Sequence, residues 1–273
     1  MSKKERSIVI LLGVRVDSTP ESSLLKRVEG WIEDYKVGDD GKRLIFTPNP
    51  EMLVDASVDK GFLKVLNSSD INIADGVGLQ WASRLLSLFG TIKNNQTISN
   101  RVTGVDFSRK LVGLAAKNGW RVYLLGGGPN VASRAAKRLR AEYGQAAVKG
   151  FEIKADEGPG LNQDGQSWLR ASEETVKKVS AYGPEILLVA FGHKKQERWL
   201  VENRDKMQFG VAMGVGGTLD YLSGRVKRAP GWLRGVGLEW LFRLIVEPRR
   251  WRRIVKAVLI FPWMVIKESV GGR

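Results

Sequence analysis

Short apolar runs alternate along the chain with longer segments whose apolar residues recur every three to four positions. The runs at 7–12, 43–47, 71–74, 121–125, 147–151, 185–190 and 209–215 read as strands. Between them, 21–35, 50–66, 78–88, 106–118, 130–143, 167–181 and 196–205 carry the helical period. Parallel strands need a long crossover and a helix supplies it, so this alternation predicts an α/β fold, a mostly parallel sheet flanked by helices. Two polar stretches, 90–100 and 152–166, interrupt the rhythm. The second is rich in Gly, Asp and Asn and reads as a surface loop.

The start, MSKKERSIVILLGVRVD, has the basic-then-apolar order of a signal peptide. Arg15 and Asp17 follow at once without a small-residue cleavage site, so a first strand is the better reading. The longest apolar stretch, 257–266, has about half of the roughly 20 residues that a membrane span needs. With 273 residues, 43% of them hydrophobic, the chain can bury the core of one large domain, or of one domain with an appendage. It has no cysteine, which removes disulfides and thiolate chemistry, and a single histidine, His193, which argues against a histidine-rich metal centre. Any base is therefore expected to be a carboxylate. The net charge of +15 calls for an anionic partner.

Several strand ends carry candidate chemistry. The run INIADGVG stops at Asp75, beside Gly76, and a carboxylate at the carboxyl end of a strand can reach a substrate in the crevice of an open sheet. The same Asp could instead cap the helix that follows. Thr47 and Asn49 end the second strand with a hydroxyl and an amide suited to sugar or phosphate oxygens, or to ordinary turn formation. In LLGGGPN, Gly127 and Gly128 lead from a strand into a helix whose first N–H groups suit a phosphate. The third glycine of a dinucleotide fingerprint is replaced by Val131, which argues against a nicotinamide enzyme. Lys195 and Gln196 open a helix and suit a diphosphate, although Lys-Lys-Gln-Glu also reads as a solvated helix face. In GVGGTLD, Gly216 and Gly217 permit close approach and Asp220 can accept bonds from a ribose or a base, or cap its neighbours.

The character changes near residue 225. Residues 225–273 carry twelve basic and three acidic residues, +9 of the total charge, interleaved with aromatic and aliphatic positions at helical spacing. The division expected is a core over 1–224 and a basic amphipathic appendage over 225–273. Trp232, Trp240, Arg249, Arg250, Trp251, Arg252 and Arg253 suit the interface of an anionic membrane. Nucleic acid is disfavoured as partner, because the segment is as apolar as it is basic and no recognised binding motif is present.

Thr47 with Asn49, ADGVG, RVTGVDF from Arg101, LLGG, KQERW, GVGGTLD and RAPGWLRGVGLEWLFRLIVEP together resemble the WecG/TagA/CpsF glycosyltransferases over about 12–253. The resemblance implies a Rossmann-like core and an inverting, metal-independent enzyme without cofactor. It implies a UDP-sugar donor, most typically UDP-N-acetylmannosamine, and a polyprenyl-diphosphate-linked N-acetylglucosamine acceptor. The expected place is cytoplasmic, peripheral on the inner face of the cell membrane, and a homo-oligomer is compatible. By the same resemblance Asp75 is the base, Arg101 and Gln196 act near the diphosphate and reacting sugar, Thr47 and Asn49 line the pocket, and Asp220 holds the nucleoside. One departure is Lys194, where the family usually has proline. Another UDP-hexose donor, or a non-catalytic nucleotide-binding protein at the membrane, are the alternatives.

Overall fold

The computed structural model describes residues 7–99, 102–159 and 165–271. In chain order the elements begin with strands Ile8–Leu11 (β1) and Val14–Asp17 (β2), helix Glu21–Lys36 (α1) and strand Arg43–Phe46 (β3). Helices Pro50–Val58 (α2) and Lys60–Asn67 (α3), strand Ile71–Asn72 (β4) and helix Val77–Leu88 (α4) follow. Next come helix Gly104–Asn118 (α5), strand Arg121–Gly126 (β5), helix Val131–Tyr143 (α6), strand Glu152–Asp156 (β6) and helix Gly165–Tyr182 (α7). Strand Ile186–Ala190 (β7), helix Lys195–Asn203 (α8), strand Val211–Gly214 (β8) and helix Thr218–Leu222 (α9) complete the alternation. The remainder is helical: Gly231–Gly235 (α10), Glu239–Val246 (α11), Trp251–Val255 (α12), a π-helical turn at Lys256–Ile260, and Phe261–Gly271 (α13). The α/β class read from the alternating pattern is the class observed.

The chain forms two compact units. One comprises Ser22–Phe46 and Gly104–Lys227, the other Met1–Glu21, Thr47–Thr103 and Arg228–Arg273.

In the unit containing Gly104–Lys227, five parallel strands lie in the order β3, β8, β7, β5, β6. The central strands are buried throughout, and their sequences, ILLVA in β7 and VAMG in β8, are the continuous apolar runs that such burial selects. Register brings the carboxyl ends level, Gly126 opposite Ala190 and Val189 opposite Gly214. Backbone bonds just beyond, Gly127 N–H to Ala190 O (2.9 Å) and Val215 N–H to Val189 O (2.8 Å), extend the alignment into the loops. Three glycine-bearing loops therefore leave one edge of the sheet together. The strand expected at 147–151 forms instead at 152–156, inside the stretch read as a surface loop. β6 pairs with β5, and its burial alternates, with Ile153 inside and charged Glu152 and Lys154 exposed, so it lacks a continuous apolar run.

In the other unit, β1 and β2 form an antiparallel hairpin with Leu11 opposite Val14. Its two-residue turn puts Leu12 at φ 49° and Gly13 at φ 79°, the paired positive values that tight hairpins need. The first strand read from the sequence thus belongs to a hairpin. The single helix expected at 50–66 is two helices, because Asp59 ends α2 and its side chain accepts the Phe62 N–H (2.9 Å) to start α3. α13 buries Phe261 and Val265 completely, packing on α2 and α4. The first turns of α2 and α4 are themselves close: a Cβ added to Gly78 would meet Pro50 Cγ at 2.7 Å.

Candidate active site

The sequence-predicted residues fall into two groups, one in each unit. Thr47, Asn49 and Asp75 belong to the unit with the hairpin. Thr47 is buried. Asn49 caps α2: its Oδ1 accepts the Met52 N–H at 3.0 Å and Pro50 supplies the fixed φ of the first helical position. The Asn49 side-chain oxygen is thus engaged in the start of α2. Asp75 is half-buried, and its backbone N–H donates to Pro48 O at 2.9 Å, which joins the Thr47–Asn49 turn to the Asp75–Gly76 turn. The N-cap of α4 is Gly76 at φ 103°, so the cap position offered to Asp75 by the bland reading is filled by a glycine. Arg101 lies outside the described residues.

The second group sits on the three loops at the sheet edge. Gly127 and Gly128 have φ of 86° and 87°. A Cβ at Gly127 would lie 2.6 Å from Val131 Cγ1, so only glycine lets this loop enter α6. The Asn130 N–H at the entry donates to Glu157 Oε1 at 2.7 Å. Arg225 Nη1 reaches both Gly127 O and Asp220 Oδ1 at 3.5 Å, linking the glycine loop to the first turn of α9, whose N-cap is Gly217. Lys195, the first residue of α8, is exposed.

Gln196 and Glu197 are buried, which removes the solvated-face reading for this pair. Gln196 Oε1 accepts the Gly216 N–H at 2.9 Å, and its Nε2 donates to Glu197 Oε1 at 2.6 Å. Complete burial pushes the Glu197 carboxyl up to about 7, against the opposing pull of the Gln196 amide and of backbone groups at 197 and 194. Among the described residues, its second oxygen is buried without a hydrogen-bond partner. The sequence reading passed over Glu197. The signal was helical phase, since 197 lies one turn before the apolar Leu200 and beside the face of 196, 199 and 203 that Trp199 marks as core.

In the carboxyl-terminal helices, Trp232 and Trp251 are 70% and 54% exposed, whereas Trp240 is half-buried. Arg249 and Arg252 are exposed, with the Arg252 guanidinium 5.4 Å from the centre of the Trp251 ring. Arg253 is engaged elsewhere, its Nε 2.7 Å from the Glu51 carboxylate of α2, and Lys256 Nζ lies 2.6 Å from Asp55 on the next turn. Arg250 pairs with Glu247 at 3.0 Å. Arg249, Arg250 and Arg253 line an open depression of about 540 Å³. Among the described residues, no helix is long and apolar enough to cross a membrane.

Residues 9–273 match the glycosyl transferase WecG/TagA/CpsF family. The chain belongs to that family. It is also similar to curated proteins of nearly the same length. One, from Bacillus subtilis (strain 168), is 30% identical over 91% of this chain and 87% of its own, and is named N-acetylglucosaminyldiphosphoundecaprenol N-acetyl-beta-D-mannosaminyltransferase. Another with the same name, from Staphylococcus aureus (strain NCTC 8325 / PS 47), is 26% identical over 98% and 97%. This WecG/TagA/CpsF member is therefore a glycosyltransferase. Lys194 has φ 66° at the N-cap of α8, a value closed to proline, whose ring holds φ near −65°.

Proposed function

We propose that this enzyme transfers N-acetylmannosamine from a UDP donor to a polyprenyl-diphosphate-linked N-acetylglucosamine, in the synthesis of a cell-surface polymer such as teichoic acid, with inversion at the sugar carbon and without a metal. The observation that supports the transferred sugar and the acceptor is the agreement of two relatives, matched over nearly their whole length, on that printed activity. Asp75 is the base: its carboxylate takes the proton of the attacking acceptor hydroxyl as that oxygen bonds to the anomeric carbon and the bond to UDP breaks. No bond to the protein forms, so one carboxylate suffices. The tie from Asp75 N–H to Pro48 O supports this role, because it fixes the carboxylate's backbone to the turn bearing Thr47 and Asn49.

Negative charge grows on the departing diphosphate and must meet fixed positive groups. Arg101, Lys195 and the N–H groups of the loops at Gly127, Gly128, Gly216 and Gly217 serve this purpose, with Gln196 at the reacting sugar and Asp220 at the nucleoside. The sequence contains no Asp-x-Asp pair of the kind that holds a metal under a nucleotide sugar, which favours stabilisation by the protein's own cations. Docking on the anionic inner face of the membrane brings the lipid-linked acceptor, and the exposed Trp232, Trp251, Arg249 and Arg252 are the contact residues.

The deciding experiment presents a soluble lipid-diphosphate N-acetylglucosamine analogue with a panel of UDP-sugars in EDTA and detects UDP and product mass. Product from UDP-N-acetylmannosamine alone, with the opposite anomeric configuration, is expected. Product from UDP-glucose or another hexose, or a requirement for metal, would overturn the corresponding part of the reading.

A further inference from the structure

Two of the three loops at the sheet edge are joined by a single side-chain amide. Gln196, at the start of α8, accepts the Gly216 N–H through Oε1 (2.9 Å) and donates through Nε2 to Glu197 Oε1 (2.6 Å). An amide used at both ends has one orientation, and it cannot flip without losing both bonds. The space for this arrangement comes from Gly214 at the end of β8, where a Cβ would stand 3.1 Å from Gln196 Nε2 and 3.3 Å from Glu197 Oε1. Gln196 is 3% exposed and Glu197 is fully buried. A carboxyl group in such a place is costly unless it performs a task that an apolar side chain cannot. Trp199 and Leu200 already supply the apolar packing of α8, so core filling alone does not account for it.

We infer that Glu197 is a positioning residue for the transfer reaction: it holds the Gln196 amide in the one orientation that locks the Gly216 loop to the start of α8. The inference rests on the reading above that Gln196 and the Gly216–Gly217 loop meet the substrate. Glu197 itself touches no reacting atom; it acts through Gln196. The geometry also specifies which substitute works. Among the described residues Oε2 has no hydrogen-bond partner, so a glutamine with its carbonyl in the Oε1 position keeps the bond from Gln196. Alanine or leucine keeps none.

The test is a double-mutant cycle on the full chain, with turnover measured in the assay above and folding checked by thermal unfolding. In the wild-type background Glu197→Ala is expected to lower kcat about tenfold with a smaller change in KM for the UDP-sugar, because a misplaced amide costs rate more than affinity. In the Gln196→Ala background the same change is expected to do nothing further, and in the otherwise wild-type chain Glu197→Gln is expected to keep turnover within about twofold of wild type. An equal loss in both backgrounds would show a structural role and overturn the inference, as would wild-type turnover in Glu197→Ala. If Glu197→Ala does not fold, Gly214→Ala, which pushes a methyl group against both side chains, takes its place in the same cycle. Wild-type turnover in Gln196→Ala would overturn the underlying reading of Gln196. Loss there together with an inert Glu197 would overturn only the positioning role.

Discussion

Asp75 and Glu197 are two carboxyl groups in opposite circumstances. Asp75 lies half-buried at the end of an apolar run, next to a glycine that takes the helix N-cap, and it is the residue expected to move a proton. Asp75→Asn is therefore predicted to lower kcat by about 10³-fold while UDP affinity stays near wild type, measured by turnover and calorimetric titration. Retained turnover would remove Asp75 as the base. Glu197 makes a prediction about stability. Its carboxyl is raised from 4.5 to about 7, so the folded protein keeps a proton that the unfolded chain has released. Its contribution is then fully present below about pH 4.5 and is lost as pH rises through 7, amounting to about 3 kcal/mol. Urea unfolding of wild type at pH 5 and pH 8 is expected to show that loss, and Glu197→Gln, which has no proton to lose, is expected to lack it. At Gly127 both φ and the neighbouring Val131 exclude a side chain, so Gly127→Ala is expected to cost about 1–3 kcal/mol in the same measurement.

Individual elements show where the sequence was readable. β7 and β8 were plain because a parallel strand buried on both faces is apolar at every position, as ILLVA and VAMG are. β6 was misplaced because an edge strand needs only alternate apolar residues, which Glu152–Asp156 provides in a form that resembles a polar loop. Asp59 was missed inside a helical pattern because apolar periodicity runs through a cap that ends one helix and begins the next. The candidate site was read by a different route. Asp75, Thr47 and the glycines carry chemistry at recognisable spacings, whereas Glu197 is defined by burial and by its bond to Gln196, properties that appear only once α8 is packed. For the cap itself, Asp59→Ala is predicted to lower stability by about 1 kcal/mol without changing turnover. Arg253 and Lys256 act at the same scale. Their pairs with Glu51 and Asp55 fasten α12 and the π-helical turn to α2, and limited proteolysis of an Arg253→Ala/Lys256→Ala variant is expected to cut first in residues 248–260.

For the molecule as a whole, the composition of the carboxyl-terminal helices has two uses. Phe261 and Val265 are buried in the same compact unit as the hairpin and α2, so removing residues 225–273 takes away core as well as the surface proposed to dock on the membrane. Point substitutions separate the two. Trp232→Ala/Trp251→Ala/Arg249→Glu/Arg252→Glu is predicted to abolish cosedimentation with anionic vesicles while leaving the thermal transition within a few degrees of wild type, and persistent cosedimentation would place the docking surface elsewhere. The charge bias of this segment was visible in the sequence. Its partition was not, because whether an arginine faces lipid or a glutamate depends on contacts across some two hundred residues, such as Arg253 with Glu51.

That long-range partnership bears on how the enzyme is made. The unit holding Asp75 draws on three separate stretches, Met1–Glu21, Thr47–Thr103 and Arg228–Arg273, whereas the five-stranded sheet has all its residues by Lys227. During synthesis the sheet can therefore close while the hairpin, α2 and α4 still wait for Phe261 and Val265 to leave the ribosome. A nascent chain halted near residue 227 would hold the glycine loops of the sheet without the helix that packs behind Asp75, so the two groups of candidate residues would mature at different times.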